Sequence, residues 1–310
     1  MSFNKVIIYG HKLHTHTSSY VHYGFYKAFK ELNYNTLWVD DNDDISNINF
    51  DNSLFLTEGQ VDNNIPLNKS SKYILHNCFK EKYNDLNYIK IQFVYNEMGF
   101  EMAPVGEYEN FIKNNPILKI NNYTYWGNNT LYQPWATDLV PREIDLNDAH
   151  NELNNKECIW IGTYGGGDTE FQNQKQLDPF FNECKKNRIK VKIIDPWAAP
   201  VSPEKNRELV KNAFMAPAIQ GAWQVNHGYG PPCRLLKNIS YGHIGITNSN
   251  FTNSLFDNKL VYDNDSSNLF YKVMEKKNNS KIINDTQLLM DEVKENHTFI
   301  NRINQILKLI

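Results

Sequence analysis

Residues 5–9 (KVIIY) form a short apolar, β-branched run, the pattern of a buried strand. After a polar loop, Val21, Phe25, Ala28, Phe29 and Leu32 recur at three- and four-residue steps between residues 20 and 32. That period lines them up on one helix face, and Ser18 or Ser19 can cap the helix. Residues 36–39 (TLWV) predict the next strand, so the chain opens with a βαβ unit. Short apolar runs at 53–56, 72–75 and 89–94, each bounded by Asn, Gly or Pro, extend a parallel sheet.

The pattern then breaks and restarts. Residues 121–141 hold two prolines and little helical period, and a polar stretch runs on to Lys156. An interdomain linker is expected there. Strand, loop and helix resume at 157–161 (ECIWI), GTYGGGDT and 170–187. A strand at 191–194, a helix at 203–212, an apolar run at 214–219, a helix at 233–241 and a strand at 243–247 continue the alternation. This predicts a second doubly wound lobe. Leu288, Leu289, Val293, Ile300, Ile303, Ile306 and Leu307 predict one or two helices between 285 and 309. The fold class read from the pattern is α/β with two Rossmann-like lobes facing each other across a cleft, residues 1–140 and 141–310, with a return of the terminal helix to the first lobe as the alternative.

Composition narrows the possibilities. With 41% hydrophobic and 13% aromatic residues over 310 positions, both lobes can fill a core. The net charge of -3 gives no broad field for a polyphosphate backbone, so no nucleic acid partner is expected. No apolar run approaches the roughly 20 residues of a membrane span, so no transmembrane segment is expected. The opening MSFNKVIIYG reads as a strand and not as a leader, and a cytoplasmic protein is expected. Cys78, Cys158, Cys184 and Cys233 form no CxxC pair and are expected to be reduced thiols.

Ligands in doubly wound sheets bind outside the carboxyl ends of the strands, which directs attention to the post-strand loops. The loop holding Gly162, Gly165, Gly166 and Gly167 either lets backbone amides approach a phosphate or makes a tight turn. Downstream, a loop with Tyr229 and Gly230 opens a helix carrying Arg234 and Lys237. Three-residue spacing puts both cations on one face near the positive helix end, where they can neutralise a pyrophosphate. The other reading of that pair is a solvated basic face. His11, His14 and His16 lie in the loop after the first strand with no Asp, Glu or Cys partner nearby, so no metal site is expected. Asp263-Asn264-Asp265 reads as a turn.

Taken in order, the Gly loop, the Arg234/Lys237 helix and the stretch Ser240-Tyr241-Gly242-His243-Ile244-Gly245-Ile246-Thr247 resemble the donor-binding half of GT-B glycosyltransferases. The Arg-plus-Lys pairing is also similar to that of fucosyltransferases of this fold. Asn238 stands where a Glu is often found in retaining members, and no Glu follows at the second acidic position, which leaves stereochemistry and sugar open. The resemblance implies a metal-independent hexosyl- or deoxyhexosyltransferase that needs no cofactor. Its first lobe would bind the acceptor, a glycan or glycoconjugate, and its second a nucleotide-sugar donor of UDP or GDP type. It implies donor contacts from Gly165, Gly166, Asp195, Trp197, Tyr229, Gly230, Arg234 and Lys237. Asp195 would meet base or ribose, and Trp197 would stack on the base. The first loop would supply a catalytic base, His16, with Glu58 as the alternative. A nucleotide-sugar epimerase and a non-catalytic sugar- or nucleotide-binding protein of the same fold are the competing readings.

Overall fold

The computed structural model describes residues 3–12, 17–59, 61–76, 80–92, 118–121, 124–127, 129–165, 173–196, 198–226 and 230–310. The chain divides into two units, Met1–Val140 with Phe299–Ile310, and Pro141–Thr298.

In the first unit, strands β1 (Lys5–Tyr9), β2 (Thr36–Val39), β3 (Ser53–Glu58), β4 (Lys72–His76) and β5 (Asn87–Gln92) pair in parallel, in the order β2-β1-β3-β4-β5. The apolar runs of β1, β3 and β4 are buried on both faces, as a parallel sheet requires. Helix α1 (Thr17–Glu31) turns Val21, Phe25, Ala28 and Phe29 inward, the face read from its period. Three further strands, β6 (Leu118–Asn121), β7 (Thr124–Gly127) and β8 (Thr130–Tyr132), complete an eight-stranded sheet. β8 joins β5 in parallel, while β7 and β6 return antiparallel. The expected linker over 121–156 therefore begins inside the sheet. These strands are only three or four residues long, too short for a period of two to stand out. Gly127 pairs with Thr130, and Asn129 just before Thr130 adopts φ 55°, a conformation that Asn tolerates better than most residues.

The second unit is built on β9 (Glu157–Ile161) and β10 (Lys190–Ile194), which are parallel. The apolar run 214–219 lies alongside β9, with the Ile159 N–H donating to the Met215 carbonyl at 3.0 Å. It is extended but makes only an isolated parallel bridge, between Cys158 and Met215. On its other side the Ala218 N–H donates to Ile246, in the short strand β11 (Ile246–Thr247), which pairs with β12 (Val261–Tyr262). The helices are α2 (Gln174–Lys186), α3 (Pro203–Lys211), α4 (Ala222–Asn226), α5 (Cys233–Ser240), α6 (Asn250–Leu255), α7 (Ser266–Lys277) and α8 (Ile282–Asn296). Asp265 caps α7 by accepting from the Asn268 N–H, so the Asp263–Asp265 stretch is the expected turn. Cys158, Cys184 and Cys233 are free thiols. Among the described residues no helix is long and apolar enough to cross a membrane.

The last helix, α9 (Phe299–Ile306), belongs to the first unit. Phe299 packs on Phe25 with ring centres 4.7 Å apart, and a Cβ on Gly24 would fall 2.1 Å from the Phe299 ring, so only glycine permits this approach. Buried Arg302 donates to the carbonyls of Pro134 and Trp135 at 2.8 and 3.1 Å. Residues 141–310 are thus not one continuous unit. A helical period shows that a helix forms but not which core receives its face.

Just past α5, Gly242 (φ 99°) and His243 lock the helix end to residues 148–150. His243 Nε2 lies 2.6 Å from the Val210 carbonyl and must donate to it. His150 Nδ1 donates to Asp148 O at 2.8 Å, which leaves its bare Nε2 facing His243 Nε2 at 3.2 Å. Burial first, then the neighbouring His150 and Lys277, hold the His243 pKa well below the ordinary histidine value. The unfolded chain therefore takes up the proton first as the pH falls. Stability linked to His243 is complete above about pH 6.5 and lost below it, at up to ~1.4 kcal/mol per pH unit. Thermal melts of His243→Gln should lose less between pH 7 and pH 5 than those of the parent; equal losses would remove His243 from the acid response.

Candidate functional site

The donor-side candidates gather at the carboxyl ends of β9 and β10, where the Gly162 N–H donates to the Ile194 carbonyl at 2.9 Å. Proline at 231 and 232 leads into α5, with Pro232 extended at φ -63° and ψ 145°. One residue into the helix, Arg234 reaches back to β9. Its Nε–H donates to the Ile161 carbonyl at 2.9 Å, and its guanidinium carbon lies 3.6 Å from the centre of the Trp160 ring. Trp160 is fully buried and its indole N–H donates to the Gly162 carbonyl at 3.0 Å. A Cβ on Gly162 would fall 1.9 Å from Arg234 Nη2, and Gly162 itself sits at φ 149°. The first glycine of the GTYGGGDT loop thus makes room for a guanidinium.

Arg234 keeps part of its surface open while its charged end is packed among protein atoms, and burial pushes its pKa down to about 10. Among the described residues no carboxylate pairs with it. The ring face of Trp160 and one carbonyl stabilise the cation only in part. Lys237, one turn further on, is buried as well, so α5 does not present two cations on an open solvated face.

The other expected donor contacts have partners of their own or fall outside the described residues. Asp195 follows β10, and its carbonyl accepts from the N–H groups of Ala198 and Ala199 at 3.1 and 2.9 Å in a turn. A Cβ on Gly165 would meet Gln174 Oε1 at 2.9 Å. The described part of its loop is tied to α2 by Tyr164 donating to Asp178 and by Asn173 Nδ2 donating to the Thr163 carbonyl. Gly230 is buried, its carbonyl 3.5 Å from Gln220 Nε2. Gly166, Trp197, Tyr229 and His16 fall outside the described residues.

In the first unit Glu58 ends β3 and is buried, with its Oε2 2.9 Å from His11 Nε2. His11 stands in the loop that sequence reasoning singled out, at φ 45°. A buried carboxylate oxygen thus lies against one ring nitrogen of the loop histidine. Among the described residues no group of three or more His, Cys, Asp or Glu is arranged to hold a metal ion.

No protein-family model and no curated protein matches the chain. Two solved structures match nearly its whole length. One is an alpha-glucosyltransferase in complex with UDP, 10% identical, with TM-score 0.61, covering 99% of this chain and 100% of that one. The other is an alpha-glucosyltransferase in complex with UDP-glucose and DNA containing an abasic site, 10% identical, with TM-score 0.55, covering 98% of this chain and 99% of that one. The chain has the GT-B fold.

Within this GT-B fold some site-building residues were given no role by sequence reasoning. Trp160 sits in the apolar run ECIWI and reads there as core, yet its ring carries Arg234. Gln220 lies between Ile219 and Gly221 and is buried. Its N–H donates to Asn248 Oδ1 at 2.8 Å and its carbonyl accepts from Asn248 Nδ2 at 2.9 Å. Thr252 donates to Gln220 Oε1 at 3.4 Å. This network fixes both ends of the loop that leads into α5. An amide inside an apolar run was the available signal, because a buried amide must find partners.

Proposed function

We propose that the chain is a glycosyltransferase moving a hexosyl or deoxyhexosyl group from a nucleoside-diphosphate sugar to a hydroxyl of a glycan or glycoconjugate. The observation that carries this reading is Arg234, a cation packed on Trp160, cradled by Gly162 and unmatched by any carboxylate among the described residues. Desolvating a charge is costly unless a partner completes it. A donor diphosphate is such a partner, and a planar guanidinium can grip it through two oxygens. The UDP and UDP-glucose bound to the two structural neighbours favour a uridine donor. The net charge of -3 favours an acceptor other than nucleic acid.

In the reaction, the bond between the anomeric carbon and the diphosphate oxygen breaks and one forms from that carbon to the acceptor oxygen. The acceptor proton passes to His11, which Glu58 flanks. Charge developing on the diphosphate meets Arg234, with Lys237 adding to the field, so neither a metal nor a cofactor is needed. In this reading Asp195 would meet base or ribose, and Gly165 and Gly230 would make close backbone contact.

Calorimetry tests this directly. UDP or GDP should bind at least tenfold more tightly than the matching nucleoside, and EDTA should leave that binding unchanged. Absence of binding by either diphosphate, or full dependence on added Mg²⁺, would overturn the proposal.

A further inference from the structure

Behind His11 and Glu58 the first unit buries two more histidines in direct contact. His22 on α1 and His76 at the end of β4 are both fully buried, with their Nε2 atoms 2.7 Å apart. His22 Nδ1 lies 2.5 Å from the carbonyl oxygen of Gly10. A carbonyl only accepts, so Nδ1 of His22 carries a proton. With both rings neutral, Nε2 of His22 is then bare, and a separation of 2.7 Å is attractive only if His76 Nε2–H donates to it. For two neutral rings the geometry dictates both tautomers.

The Gly10 carbonyl takes a second donor, the Trp38 indole N–H, at 3.0 Å. Two donors on one oxygen fix the plane of the Gly10–His11 peptide. That peptide lies in backbone the chain does not adopt freely, since Gly10 has φ 103° and His11 has φ 45°. Such a turn persists only where its surroundings over-determine it. The same turn sets His11 Nε2 at 2.9 Å from Glu58 Oε2. The flanking charges are engaged elsewhere, with Tyr9 donating to Asp41 at 2.7 Å and Lys12 to Asp43 at 2.8 Å. The edge of the Trp135 ring system meets His76 with centroids 5.6 Å apart, which fixes that ring from behind. An apolar side chain would fill either buried position without the desolvation of an imidazole.

We propose that His22 is a positioning residue for His11, and that His76 sets the ring state in which His22 can do this. The consequence for turnover rests on His11 being the base of the proposed transferase, whereas the relay itself does not.

Long-range proton–nitrogen spectra of ¹⁵N-histidine-labelled protein should show His22 protonated at Nδ1 and His76 at Nε2. The opposite tautomer at either ring overturns the proposal. His22→Asn keeps an N–H donor near the position of Nδ1, and His22→Leu removes it. In the leucine variant the His11 ring-nitrogen signals should move, and UDP release from UDP-glucose should slow at least 30-fold. UDP affinity by calorimetry should stay within twofold of the parent. His22→Asn should restore both His11 signals and turnover to within about fivefold. Unmoved His11 signals in a folded leucine variant, or equal losses in both variants, sink the idea. Should the leucine variant not fold, His76→Gln and His76→Phe decide instead: only glutamine keeps a donor toward His22, so equal behaviour of the two is fatal. If no variant and no parent binds UDP, the transferase reading fails while the spectra still decide the relay.

Discussion

Arg234→Met is expected to weaken UDP binding by about 1.5–3 kcal/mol, the worth of one charge-assisted contact, or roughly 10- to 150-fold in Kd. The melting temperature without nucleotide should hold or rise. The reason lies in what the residue does in the absence of a ligand. Arg234 buries a charge that burial has already pushed down to a pKa of about 10, against one carbonyl and one indole face. Methionine keeps the packing on Trp160 and removes a buried charge that no carboxylate among the described residues meets, an exchange that is often neutral or stabilising. It also strands the Ile161 carbonyl, which offsets part of that gain. Arg234→Lys should recover little affinity, because an ammonium cannot stack on the indole and grip two oxygens at once. Calorimetry with UDP beside a thermal melt separates the effects. Parent-like affinity in the methionine variant would mean that the cation is not at the diphosphate.

Gly162→Ala should lose UDP affinity as heavily as Arg234→Met and, unlike it, lose stability. The new methyl would stand 1.9 Å from Arg234 Nη2, and the guanidinium is the group able to move. Alanine at φ 149° adds backbone strain of about 1–3 kcal/mol that no side-chain movement relieves. In the double variant the binding losses should not add, because both act on one cation, while the melting temperature should still show the backbone strain. Gly165→Ala is the control: its methyl meets only the tip of Gln174. Fully additive binding losses in the double variant would separate Gly162 from Arg234.

Elements with long, strong periods were legible in the sequence, and those set by tertiary context were not. Strands β1 to β4 and helices α1, α3 and α5 stand within one to three residues of their expected bounds, because each carries a buried run or face that only one regular structure satisfies. Strands β6 to β8 were hidden by their brevity. The run 214–219 is extended as expected, yet it forms a bridge in place of a ladder. At the site, Arg234 was visible because a cation after a Gly-Pro loop has a chemical reading. Its partner Trp160 was not, since a tryptophan in a buried strand looks the same whether it fills space or carries a guanidinium. Glu58 and His11 were each legible as loop residues, but their 2.9 Å contact depends on how β1 and β3 align side by side.

The division of the chain also orders its birth. The second unit is one uninterrupted stretch, Pro141–Thr298, whereas the first needs Phe299–Ile310 to cover Gly24 and Phe25 and to bring Arg302 to Pro134. At about 5–20 residues per second, a ribosome takes roughly 8–30 seconds to make the 158 residues (298 − 141 + 1) that separate the two pieces. Through that interval the nascent first half has its sheet but not its closing helix. The half that emerges later is therefore the first able to finish folding, and the half carrying His11 and Glu58 is sealed last.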